Sequence, residues 1–335
     1  MRFSLFSLAR ITIVFLSILA ISLPAVAGLY KCVDRQNRTY YQDKPCQEMI
    51  SEKLPFTLAK TPSESDERAY FWKATSGKSV LFLLGSLHFG TQSLYPLPQM
   101  VNDAFNRSDV LVVEVDINNL SSKGMTDGWS GRGRYADKSK LEDHIKRITW
   151  NKTLELANRL ELNDELLLPV KPWLAALMLN AQALKREGYN AEQGIDSFFT
   201  QQAQGKKTVM ELESEGDQIN LLDQLSDLEQ EQMLLHTLHE LNRSPENHKG
   251  IIEAWKKGDA EAMDLFVRQS FDNGQLGSKL FNIFFVERNE RMANRLINLS
   301  SDGRTYFVVV GSGHLCGEKG ILKLLEQKGF AITQP

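Results

Sequence analysis

Two histidines, His88 and His314, carry the plainest chemical signal, because each stands in the same short setting. Residues 80–84 run into Gly85-Ser86-Leu87-His88, and residues 306–310 run into Gly311-Ser312-Gly313-His314. Each apolar run is short, the pattern of a buried strand. A glycine just past a strand lets the backbone turn sharply and approach a ligand closely. Gly85, Ser86, Gly311 and Ser312 are therefore candidate substrate contacts. A histidine three positions beyond the glycine serves as a metal ligand or as a general base. The other reading is an ordinary strand-to-helix turn with a capping serine, and the duplication weighs against it.

Glu114 follows Leu111-Val112-Val113, so its carboxylate leaves a strand at the same sheet edge as His88. Two imidazoles and a carboxylate are a common zinc-type ligand set with a fourth position open for water. Such water has a lowered pKa and is a nucleophile at neutral pH. The competing explanation for Glu114 is a salt bridge at the sheet edge, with Arg288 as the partner. Glu213, two residues after Glu211, ends an isolated strand, read as buried, at residues 207–212. It reads as a general base, a further ligand or a helix cap. Arg288 and Asn289, the latter a further candidate substrate contact, lie in Glu287-Arg288-Asn289-Glu290-Arg291-Met292 on a long amphipathic helix. Arg288 suits a carboxylate or an oxyanion, although an exposed charged face accounts for its neighbours equally well.

Other reactive residues have less behind them. His236 and His239 are one helical turn apart, but they do not form His-Glu-x-x-His, and the surrounding Gln and Glu describe a solvated face. His144 and His248 have weaker settings still. Cys316, two residues beyond His314, reads as a buried small residue. There is no phosphate-cradling Gly-x-x-x-x-Gly-Lys loop, no Gly-x-Ser-x-Gly elbow and no dinucleotide fingerprint.

The elements that must position these groups follow from the same patterns. If both motif strands share one parallel sheet, both histidines emerge at its carboxyl edge, where open α/β sheets place their ligands. Residues 69–74 and 80–84 pair as a hairpin, and a helix over 99–106 with a strand at 110–115 closes a β-α-β unit. Residues 141–299 carry apolar positions at three- and four-residue spacing, so they are mostly helical, with the strand at 207–212 as the one break. A strand, the second motif, a helix over 318–328 and a strand at 330–333 end the chain. The expected fold is α/β (α+β), with a central mixed sheet over residues 69–335 and a large helical insertion at about 140–300.

The first residues read as an export signal. Arg2 and Arg10 are the basic flank, residues 11–23 are the apolar stretch, and Ala25-Val26-Ala27 is the small-x-small cleavage site. The apolar run is too short for a comfortable membrane span, so the expected mature chain starts near Gly28, with no stable span, in the periplasm or outside the cell. Loss of the two arginines takes the formal charge of −3 to about −5. That mild acidity leaves no basic footprint for nucleic acid. Residues 28–46 form a small hairpin module that needs a staple, and Cys32 with Cys46 is the natural disulfide in an oxidising compartment. Residues 47–68, with Pro55 and Pro62, read as a linker.

The ordered set of motifs resembles the TraB/PrgY/GumN family, which includes the Tiki proteases. The likeness lies in Leu84-Gly85-Ser86-Leu87-His88, Tyr95-Pro96-Leu97-Pro98 and Val112-Val113-Glu114-Val115-Asp116. It continues through Lys171-Pro172-Trp173, Gly194-Ile195-Asp196, Glu211-Leu212-Glu213, Arg288-Asn289 and Val310-Gly311-Ser312-Gly313-His314. The resemblance implies a metal-dependent hydrolase acting on a peptide or a small amide or ester. His88, His314 and Glu114 would hold a divalent ion of the zinc, manganese or cobalt type, with Glu213 and Arg288 in support. A peptide-sequestering protein and a metal-independent hydrolase with a histidine base are the alternatives.

Overall fold

The apolar runs flanking the two motifs are adjacent strands of one sheet in the computed structural model. It describes residues 30–33, 39–42, 51–53, 68–116, 129–243, 247–271 and 274–335. The expected export signal and Cys46, and with it the Cys32–Cys46 pairing, lie outside the described residues.

Near the start, β1 (Tyr30–Val33) pairs antiparallel with β2 (Thr39–Gln42), as the hairpin reading expects. A third strand, β3 (Ser51–Lys53), pairs with the other edge of β1. It falls inside the stretch read as linker. Ser51-Glu52-Lys53 has no apolar alternation to announce it.

The main sheet has six strands in the order β7-β6-β8-β5-β4-β9. These are β4 (Phe71–Ser76), β5 (Ser79–Ser86), β6 (Val110–Val113), β7 (Thr208–Glu211), β8 (Thr305–Gly311) and β9 (Ala331–Thr333). Strands β5, β8, β6 and β7 run parallel, while β4 and β9 are antiparallel to their neighbours, so the sheet is mixed. Strands covered on both faces read as continuous apolar runs rather than as alternation. That is why Val110–Val113 and residues 306–310 show no polar side, and all are buried.

The helical insertion, about residues 140–300, supplies the cover. The helix α1 (Ile195–Ala203) lies against β6, β7 and β8, where Phe199 packs on Phe105 and Phe307 with ring centroids 5.0 and 4.7 Å away. Further along are α2 (Asn247–Lys257) and α3 (Ala260–Ser270). The amphipathic stretch that carries Arg288 and Asn289 contains a wide π turn at Asn282–Val286 before α4 (Glu287–Leu299). Such turns interrupt the regular face of a helix, and here the residues just after it, Arg288 and Asn289, are buried rather than on a charged surface.

Candidate active site

The parallel pairing of β5 with β8 sets Ser86 opposite Gly311. The two Gly-Ser-x-His segments therefore lie side by side, one residue out of step, at the carboxyl edge of the sheet. Gly85 is needed for that approach: a Cβ there would stand 2.3 Å from Tyr70 Cδ1 and 2.8 Å from Ser312 Oγ. Ser312 Oγ donates to the Ser86 carbonyl at 2.8 Å and fastens one motif to the other. Gly311 donates its N–H to Glu114 Oε2 at 3.0 Å, tying the second motif to β6.

The β6–β7 ladder continues past both strand ends. Leu212 N–H donates to the Val113 carbonyl at 2.8 Å, and Glu213 N–H to the Glu114 carbonyl at 2.9 Å. Two buried carboxylates are thereby set next to each other, which like charge alone would disfavour. The guanidinium of Arg288, fully buried, answers them. Its Nε and Nη2 donate to Glu213 Oε2 at 2.8 and 2.7 Å, and Nη2 also donates to Glu114 Oε1. Nη1 donates to the Phe284 carbonyl at 3.3 Å. Gln218 Nε2 adds a bond to Glu114 Oε1 at 3.1 Å, and the half-exposed Arg291 lies 3.3 Å from Glu213 Oε1. Burial would push the Glu114 carboxyl up, but Arg288, with His314, His88 and the Gly311 N–H, holds it well below the usual carboxylate range. Burial opposes the charge on Arg288, and Glu114 and Glu213 more than restore it.

The two histidines differ. His314 is fully buried, and its Nδ1 lies 2.6 Å from Asn289 Oδ1. Asn289 Nδ2 donates to the Lys319 carbonyl at 2.8 Å, so Oδ1 accepts and Nδ1 of a neutral ring carries the proton. Nε2 is then a bare lone pair, without a hydrogen-bond partner, 3.8 Å from Glu114 Oε1. Burial, then Arg288, lowers the pKa of this ring to about 3. His88 retains 9% of its side-chain exposure, and its Nδ1 stands 2.7 Å from Asp196 Oδ2. That approach is a close charge contact rather than an aligned hydrogen bond. Burial disfavours a charge on His88, yet Asp196 and Glu114 outweigh it and raise the pKa above 6.5.

Asp196 lies in the first turn of α1, directly after Gly194-Ile195. Ile195 N–H donates to the Leu87 carbonyl at 3.0 Å. A Cβ on Gly194 would stand 2.4 Å from the His88 carbonyl oxygen, so only glycine allows the helix to dock this near the motif. His88 faces a cavity of about 70 Å³ whose lining includes Ser86, Ser312 and Gly313 from both motifs. Ser86 Oγ is buried without a hydrogen-bond partner.

Comparison with known proteins fits this arrangement of motifs. The TraB/PrgY/gumN family model matches residues 70–334. The chain belongs to the TraB/PrgY/gumN family. Among relatives, the uncharacterized protein YbaP of Escherichia coli (strain K12) is 25% identical over 261 residues, covering 76% of this chain and 93% of YbaP. An uncharacterized protein of Treponema pallidum (strain Nichols) is 21% identical over 285 residues, covering 79% of this chain and 82% of that protein. No solved structure matches the chain.

For this member of the TraB/PrgY/gumN family, the expected ion would need His88, His314 and Glu114 aimed at one point. Among the described residues no three His, Cys, Asp or Glu side chains gather in that way. Both Glu114 oxygens already accept, Oε1 from Arg288 and Gln218 and Oε2 from Gly311. A guanidinium on Oε1 places a cation where the ion would bind. The lone pair of His314 Nε2 is one suitable donor, and one donor does not fix an ion. As arranged, the set does not fit a resident metal. The salt bridge between Glu114 and Arg288, the competing reading of the sequence, is what forms.

Arg288 directs its donors at Glu114, Glu213 and the Phe284 carbonyl and does not reach the cavity. Asn289 orients His314 and also does not line the cavity. His236 and His239 stand apart, His239 being exposed and His236 Nε2 lying 3.1 Å from the Ser270 carbonyl oxygen. Cys316 is buried, which pushes its thiol up to about 12. Sequence reasoning passed over Asp196, Gln218 and His248 as site residues. Asp196 had a signal, since it ends the quoted motif Gly194-Ile195-Asp196, but Gln218 and His248 had none.

Proposed function

We propose that this chain is an exported hydrolase that cleaves an amide or ester bond of a peptide or small acyl compound, with His88 as the general base. The supporting observation is the placement of His88: one ring nitrogen against Asp196, the ring on a cavity wall formed by both motifs. Export is supported by the pattern of residues 1–27, and among the described residues no helix is long and apolar enough to cross a membrane.

With Nδ1 held by Asp196, Nε2 of His88 takes a proton from water as the water oxygen bonds to the substrate carbonyl carbon. Asp196 keeps the ring oriented and stabilises the imidazolium that results, the role a carboxylate has behind a histidine base. The Ser86 hydroxyl, buried beside the cavity without a hydrogen-bond partner, turns to donate to the carbonyl oxygen as negative charge develops there. The imidazolium then returns its proton to the leaving nitrogen or oxygen, the carbon–heteroatom bond breaks, and an acid with an amine or alcohol is released. Arg288 is a positioning residue, holding Glu114 and Glu213 together and, through Glu114 and Gly311, the second motif in register.

Incubation of the mature protein with a mixed peptide pool, read by mass spectrometry, tests this reading. New termini in the wild type that are absent with His88→Ala support it. Peptides retained without any product would instead mark a sequestering protein.

A further inference from the structure

The cavity beside His88 has a chemical character that the hydrolytic machinery does not explain. Its walls are Leu184, Ile251, Ile252, Met263, Phe266 and Val267, and its lining holds no Asp, Glu, Lys or Arg. Its polar side chains are few. Ser86, His88 and Ser312 come from the sheet edge, and Tyr189 and His248 are the other polar side chains of the lining. His248 is fixed by Glu187, whose Oε2 lies 2.6 Å from Nδ1, and the Tyr189 ring centroid is 5.6 Å from that of the imidazole.

The apolar wall is built from α2 and α3. Met263 and Val267 are buried, while Ile252 and Phe266 are half-buried. Gly250 accommodates the Phe266 ring, since a Cβ there would stand 2.9 Å from Cζ. A charged side chain entering this space would lose its hydration and find no Asp, Glu, Lys or Arg to pair with, a costly transfer. An aliphatic or aromatic side chain would gain burial instead.

Resting on the hydrolase reading, we infer that this cavity is the subsite for one bulky apolar side chain next to the scissile bond, so that the substrate is a peptide carrying Leu, Ile, Met or Phe there. The side chain lies along α2 and α3, the carbonyl meets Ser86 and His88, and His248 stands where the chain leaves the cavity.

The test uses acetyl-Gly-X-Gly-amide peptides with X as Leu, Phe, Ala, Asp or Lys, measured for cleavage by wild type and for binding to His88→Ala. The expected result is kcat/KM and affinity for Leu and Phe exceeding those for Asp and Lys by roughly a hundredfold. Ile252→Asp should shrink that ratio by about tenfold and improve Lys relative to Leu. Phe266→Ala is the milder change and should weaken Phe-peptide binding several-fold, with thermal melts establishing that each variant is folded. Equal affinity across the set, or no binding by any member, overturns the subsite whether or not cleavage occurs. Apolar preference in binding without cleavage by wild type keeps the subsite and removes the hydrolase.

Discussion

His88 Nδ1 stands 2.7 Å from Asp196 Oδ2, joining the first strand motif to a helix that begins far along the chain. The contact occupies one ring nitrogen and leaves the other for a reacting partner. If this pair is the working base, its two members have separable effects. His88→Ala should lower kcat by about 10² to 10⁴, and Asp196→Asn should lower it while leaving the histidine in place. Far-UV circular dichroism should be unchanged in both. Wild-type rates in His88→Ala would remove His88 from the chemistry.

Arg288 bridges two carboxylates that the β6–β7 ladder sets side by side. Arg288→Met leaves Glu114 and Glu213 buried without their shared cation, and loss of one partner from such a buried set costs about 3–5 kcal/mol. Arg291→Met, at a side chain 49% exposed, should change stability by no more than about 1 kcal/mol. Urea denaturation of the two variants measures the contrast. Equal, small losses would show that the buried cluster does not organise the sheet edge.

His314 gives stability a pH dependence of known sign. Its folded pKa of about 3 lies below the unfolded 6.5, so between these values the unfolded chain binds the extra proton. Its contribution is therefore complete above pH 6.5 and is lost as pH falls towards 3, with a slope of about 1.4 kcal/mol per pH unit. Urea midpoints at pH 7 and pH 5 should differ less in His314→Gln than in wild type. An unaltered difference would mean that His314 is protonated in the folded protein.

The occupation of Glu114 by Arg288, Gln218 and Gly311 bears on metal dependence. Dialysis against EDTA should leave both turnover and melting temperature unchanged, as read by mass spectrometry and thermal melts. Loss of activity that is restored by one equivalent of zinc, manganese or cobalt would show that Arg288 yields Glu114 to an ion, contrary to this account.

What the sequence disclosed and what it withheld divide along a physical line. The motifs Gly85-Ser86-Leu87-His88 and Gly311-Ser312-Gly313-His314 were legible because a buried strand and the turn after it are local patterns. Their repetition raised the case of one shared parallel sheet, and β5 and β8 prove to be neighbours in it. The link between Glu114 and Arg288 was legible as one of two options, since opposite charges at a sheet edge attract. Deciding between the options required the register that sets Glu213 beside Glu114 and the π turn that precedes the buried Arg288. His248 had a weak setting because no local pattern tells which side of α2 meets the cavity. The walls of that cavity come from the packing of the helical insertion, which is a long-range property. Asp196 lies between these cases: its motif was visible, but its contact with His88 depends on the docking of α1 at Gly194.

The pH dependence of kcat/KM on a cleaved peptide tests the role of the His88–Asp196 pair most directly. Asp196 raises the His88 pKa, so wild-type activity should fall on the acid side with a midpoint above pH 6.5, and Asp196→Asn should move that midpoint to lower pH. A profile with the same midpoint in both proteins would contradict a base set by Asp196.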